Sequence, residues 1–219
     1  MALRTRVRYS IRKESRMRKM AALCFATVVL ASCVGIESRL TIRDDGSGTL
    51  TLTYRVSQLV AELGLSTTGT SAIPLPLTRA DFDRSLKNTA GKVRLTRFDR
   101  SEDERDITIR ADLAFDTFDA LAGLDAFRAA DLKLTTAGSL STFSQVIAKA
   151  PTEPVSADAL QMLDALFADY RLSFVLVTPR PIQTTSLGTL SADKKTLTYS
   201  ASVKEVVTTG TDLLMSAGW

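Results

Sequence analysis

The chain has 219 residues, 45% of them hydrophobic, with 28 Lys and Arg against 24 Asp and Glu and no His. Without histidine, Ser-His-Asp and Cys-His catalysis and His-ligated zinc are excluded. Eight of the 28 basic residues and one of the 24 acidic ones lie in residues 1–32, so the remainder carries 20 against 23, a net charge of −3. A nucleic-acid ligand, which draws its affinity from Lys and Arg set against phosphates, is therefore not expected.

The basic residues open the chain, with Arg12, Lys13, Arg16, Arg18 and Lys19 closing the run and Met17 a plausible true start. An uncharged stretch from Met20 to Leu30 follows, then Ala31, Ser32 and Cys33. A positive n-region, an apolar h-region of about 7–15 residues and small residues before a cut are the parts of a secretory signal peptide. A membrane span needs about 20 apolar residues, and Glu37 and Arg39 stop any extension of this one. Leu30-Ala31-Ser32-Cys33 resembles the lipobox of bacterial lipoproteins, whose cysteine receives a diacylglyceryl group before the leader is removed. The reading is a signal peptide over residues 1–32, a lipidated anchor and short tether over 33–37, and one domain over 38–219. Cys24 leaves with the leader and lipid occupies Cys33, so no disulfide is expected and a packed core must supply stability.

Leu40 and Ile42, then Leu50, Leu52, Tyr54 and Val56, alternate with polar residues around Asp44-Asp45-Gly46-Ser47-Gly48, which predicts a hairpin. Val56, Leu59, Val60 and Leu63 switch to helical spacing, and residues 66–77 should be irregular. Thr78 is a good N-cap for a helix carrying Phe82 and Leu86, stopped near Gly91. Val93 and Leu95, then Ile107, Ile109 and Ala111, predict two strands joined by the charged run 99–106 as a solvated turn. A short helix over 117–121 follows Asp116, then a second hairpin turns at Ala137-Gly138. Ser156 caps a helix predicted over 156–170, with Leu160, Leu163, Phe167 and Tyr170 on one face. Residues 171–177 form an apolar strand ended by Pro179 and Pro181, and a third hairpin turns at Asp193-Lys194-Lys195. Hairpins separated by helices predict an α+β fold: a mainly antiparallel sheet built of hairpins with two or three packed helices.

Taken together, the lipobox, the Asp44–Thr49 hairpin and the late Gly188–Tyr199 segment resemble bacterial lipoproteins of the LppM type. That family often carries a C-terminal membrane helix, from which this chain departs, having only Leu213-Leu214-Met215 before Trp219. The resemblance implies an envelope α+β domain that contacts lipids or glycolipids, and it brings no catalytic residues with it.

The carboxylate groups also read as structural. Asp112, Asp116 and Asp119 flank a strand-to-helix junction, Glu102, Asp103 and Glu104 sit in a charged turn, and Asp44-Asp45-Gly46 lacks the alternating ligands of a calcium loop. No enzyme, cofactor or metal is expected. The candidate contact residues are Ile73, Leu75 and Leu77 in a two-proline loop, and Leu160, Leu163 and Phe167 on the helix. The loop is either the mouth of a ligand site or a lid on the core, and the helix face either the wall of a lipid-sized cavity or core cover. Function is accordingly expected to be non-enzymatic: an exported lipoprotein anchored to a bacterial cell or outer membrane, binding a lipid or other apolar ligand. The alternative is a structural lipoprotein that meets a protein partner in an envelope assembly.

Overall fold

Alternation of apolar and polar residues builds the first hairpin. The computed structural model describes residues 34–58, 75–128, 130–151 and 153–219. Strand β1 (Val34–Ile42) pairs antiparallel with β2 (Gly48–Ser57), from Val34 opposite Val56 to Ile42 opposite Gly48. In the turn, Asp45 Oδ1 accepts from the Ser47 amide at 2.9 Å, and Gly46 takes a φ of 77°, which other residues adopt only under strain. Gly48 is bare for a different reason: a Cβ there would lie 2.0 Å from the Thr41 carbonyl oxygen and 2.5 Å from the Phe115 ring. Residues 34–37, expected as a tether, belong to β1, because that end is paired on both sides, Gly35 to Arg55 and Ile36 to Leu172. The lipobox residues Leu30, Ala31, Ser32 and Cys33, Ile73, most of the helix expected over 56–63 and the side chain of Phe167 lie outside the described residues; Val56 itself is in β2.

Helix α1 (Arg79–Leu86) starts at Thr78, whose hydroxyl accepts from the Asp81 amide while the Asp81 carboxylate accepts from the Thr78 amide. Strands β3 (Val93–Glu102) and β4 (Asp106–Phe115) then pair. The charged run 99–106 is not all turn. Asp99 to Glu102 continue the ladder opposite Arg110 to Ile107, and only residues 103–105 turn. An edge strand exposes its charges to water while still forming its ladder, which is why a charged segment extends β3. A bulge between Leu95 and Arg97 restores the face, so that Val93, Leu95 and Phe98 all turn toward the core.

Helices α2 (Phe118–Ala122) and α3 (Asp125–Arg128) lead to the hairpin β5 (Lys133–Ala137) and β6 (Leu140–Ala148). Helix α4 spans Ala157–Phe167 with Ser156 as its cap. It ends three residues before Tyr170, whose hydroxyl instead donates to the buried Asp106 carboxylate on β4. Arg55 completes this joint, 3.9 Å from Asp106 and 5.0 Å from the Tyr170 ring centre. The chain continues through β7 (Arg171–Val177), β8 (Thr184–Thr185), β9 (Thr189–Leu190), β10 (Thr196–Ser202), α5 (Val203–Thr208) and β11 (Leu213–Gly218).

The strands are mostly antiparallel and form two sheets, with five helices among the described residues. The larger sheet has the order β3-β4-β2-β1-β7-β10-β9 and the smaller β5-β6-β11-β8. One pairing departs from the antiparallel pattern: β1 and β7 run parallel. The inner face of the larger sheet is apolar, with Leu50, Tyr54, Ile109, Leu113, Leu176 and Leu197 buried. Its outer face carries Thr51, Arg110 and Asp112, where Thr51 donates to Asp112 at 2.7 Å. Phe118 joins the two sheets, its ring edge-on to Phe115 at 6.4 Å and to Phe143 at 6.2 Å. Among the described residues no helix is long and apolar enough to cross a membrane.

Candidate functional site

The inner face of the larger sheet does not close completely on its cover. A cavity of about 210 Å³ remains between them. Its floor is the strand face bearing Ile36, Ser38, Leu40, Leu52 and Phe174, brought together by the register that sets Ser38 opposite both Leu52 and Phe174. Its cover comes from Phe82 and Leu86 of α1, Leu121 of α2, Leu124, Phe127 of α3 and Val146 and Ile147 of β6. None of the lining residues is charged. Ser38 and Gln145 are the polar exceptions whose side chains make no hydrogen bond among the described residues, and both are half-buried.

One wall is pinned by a hydrogen bond. The Tyr54 hydroxyl donates to the Pro76 carbonyl, holding Pro76 and Leu75 against the cavity. Burial raises the Tyr54 phenol above its ordinary value, and the nearby Asp81 carboxylate pushes it the same way. Neutral phenol is therefore favoured in the fold, so its contribution to stability is intact below about pH 10 and is lost as pH rises beyond it. A tyrosine kept protonated in the fold but ionised in the unfolded chain removes about 1.4 kcal/mol per pH unit. Urea unfolding followed from neutral to alkaline pH is expected to fall more steeply above pH 10 for the wild type than for Tyr54→Phe. Parallel curves would show that Tyr54 ionises freely in the fold.

Of the residues singled out from the sequence, Leu75 lines the cavity and Leu77 is buried in the core beside it. Leu160 and Leu163 pack on the core from α4 and are not among the residues that line this cavity. Met162 of the same helix points out and is 41% exposed. Sequence reasoning missed Ser38, Leu52 and Gln145. Ser38 was the available signal, a small polar residue at an inward position of β1 between Ile36 and Leu40.

Of the carboxylates read as structural, Asp112, Asp116, Glu102 and Asp103 have partners. Asp116 receives both guanidinium nitrogens of Arg94 at 2.8 Å, which lowers its pKa, and Asp112 takes the Thr51 hydroxyl. Glu102 pairs with Arg100, and Asp103 Oδ1 caps the turn by accepting from the amides of Arg105 and Asp106 at 2.8 Å. Among the described residues no group of three acidic or cysteine side chains is placed to hold a metal ion.

No family model and no curated relative matches the chain in sequence. Among solved structures, the chain is similar to the folded domain of the Mycobacterium tuberculosis LppM protein, determined by NMR. The two share 13% identity over 85% of this chain and 89% of that one, with a TM-score of 0.47. A likeness of that order assigns no residue of this chain a role.

Proposed function

We propose that this protein is an exported, lipid-anchored and non-enzymatic binding domain that holds part of an apolar ligand between its larger sheet and the cover formed by α1 to α3 and β6. The carrying observation is the uncharged cavity under Leu75 and Pro76. A dry apolar cavity of about 150 Å³ already binds benzene, whereas sites for whole drug-sized ligands begin near 300 Å³. At 210 Å³ this space suits one acyl-chain segment, with the rest of the molecule outside. The sequence supports the anchor, through Leu30-Ala31-Ser32-Cys33 behind an h-region.

The reading is tested by solvent extraction of the full chain, purified in detergent from its host membrane, with mass spectrometry of the released lipid. Wild type is expected to carry lipid in near-stoichiometric amount. Ser38→Phe, which sends a ring into the cavity floor, is expected to lose at least three quarters of it while keeping a cooperative unfolding transition. Equal lipid in both proteins would mean that the cavity does not hold it.

A further inference from the structure

A second space abuts the apolar cavity. A cleft of about 550 Å³ lies between the end of α1 and the α2–α3 turn, within the range of ligand sites. Ser85 and Leu124 line both spaces, and Ser85 is exposed, so the cavity and the cleft meet at a shared rim. Their chemistry differs sharply. Asn88, Lys92, Thr117, Asp119 and Asp125 line the cleft, and no charged residue lines the cavity.

The charges in the cleft are of both signs and partly uncommitted. Neither the Lys92 ammonium nor the Asp119 carboxylate makes a direct ion pair or hydrogen bond among the described residues, although Lys92 stands close enough to Asp116 to help lower its pKa. Lys92 is held in place by its backbone, whose carbonyl accepts from the Asp116 amide at 2.8 Å, where β4 leads into α2. The capping residue Thr117 and Asp119 follow directly, so the cation and the carboxylate are set by the same short junction.

We propose that cavity and cleft form one bipartite site for a zwitterionic amphiphile: a chain passes the rim at Ser85 and Leu124 into the cavity, and a head bearing a phosphate and an ammonium lies in the cleft. Lys92 receives the phosphate and Asp119 the ammonium. An anionic head would satisfy Lys92 but meet Asp119, and a cationic head would meet Lys92. Only a head with both charges complements the wall. The proposal rests on the reading of the cavity as an apolar ligand site and adds the class of head group.

Native mass spectrometry of the full chain in alkyl maltoside tests it, using four probes of equal chain length: lysophosphatidylethanolamine, lysophosphatidylglycerol, a free fatty acid and an alkyl glucoside. Lysophosphatidylethanolamine is expected to reach half-occupancy at about one third of the concentration the two anionic probes need, the scale of exposed ion pairs. Asp119→Ala should abolish that preference, Lys92→Ala should weaken binding of the three charged probes together, and both should leave alkyl glucoside binding unchanged; a preference that survives Asp119→Ala would overturn the assignment. Equal occupancy by all four probes would overturn the head-group assignment and leave the cavity reading standing. A preference for the anionic probes would also overturn it. Failure of every probe to bind would sink both.

Discussion

Cells producing the Cys33→Ser protein are expected to show no incorporation of labelled palmitate into the chain and to accumulate it at the mass of the uncut precursor. The thiol is the proposed acylation site, and the leader is removed from a lipoprotein only after the cysteine is modified. Each buried methylene of an acyl chain contributes about 0.8 kcal/mol, so one chain holds a protein marginally and two or three hold it for practical purposes permanently. The change should therefore be near all-or-none. Labelling and processing equal to wild type would remove the anchor from the proposed function. Strand β1 gives the anchor a structural consequence. Because pairing begins at Val34, one residue after Cys33, the sheet follows the proposed lipid attachment without a linker. A domain so attached would have its Arg55–Asp106–Tyr170 joint at the same end of the sheet, since Gly35 pairs with Arg55 and the strand of Ile36 with that following Tyr170.

What could be read from the chain was what short-range chemistry decides. The Asp45–Gly46 turn, the Thr78 cap and the Ser156 cap each depend on residues within four positions of one another, and each forms where the residue types predict. The alternation of β4 from Ile107 to Phe115 shows its buried face directly. The parallel pairing of β1 with β7 was not readable, because neither strand's own pattern specifies a partner so distant along the chain. Strand β11 was hidden by its small residues: Ala217 and Gly218 are buried, and Gly218 sits so close to Thr184 that a Cβ would lie 2.7 Å from its hydroxyl. Helix α5 carries a complete capping box from Ser202 to Glu205, but it is six residues long and has only Val203 buried. The cavity is harder still to foresee. A void is where side chains fail to meet, and Ser38, Leu52 and Gln145 come from three strands with no common motif. The apolar loop was a partial guide, since Leu75 does reach that space.

Phe118→Ala is expected to destabilise the fold by about 3–5 kcal/mol, the usual cost of deleting a buried aromatic ring. Phe118 is the first residue of α2, positioned by the Thr117 cap, and its ring stands edge-on between Phe115 of the larger sheet and Phe143 of the smaller. Both neighbours are almost fully buried, so the vacated space opens onto rigid strands that cannot collapse far to fill it. The loss should fall on the joint between the sheets, in addition to the transfer term. Phe118→Leu separates these contributions: it retains most of the buried volume but removes both edge-to-face contacts, so it should cost about 1–3 kcal/mol. Urea unfolding of the two variants, followed by the fluorescence of buried Trp219 at the end of the smaller sheet and by far-ultraviolet circular dichroism, checks both numbers. Coincident transitions shifted by these amounts would mean that Phe118 couples the two sheets into one cooperative unit. An Ala variant within 1 kcal/mol of wild type, or a Trp219 transition unmoved while the dichroism shifts, would show that the sheets are held together elsewhere.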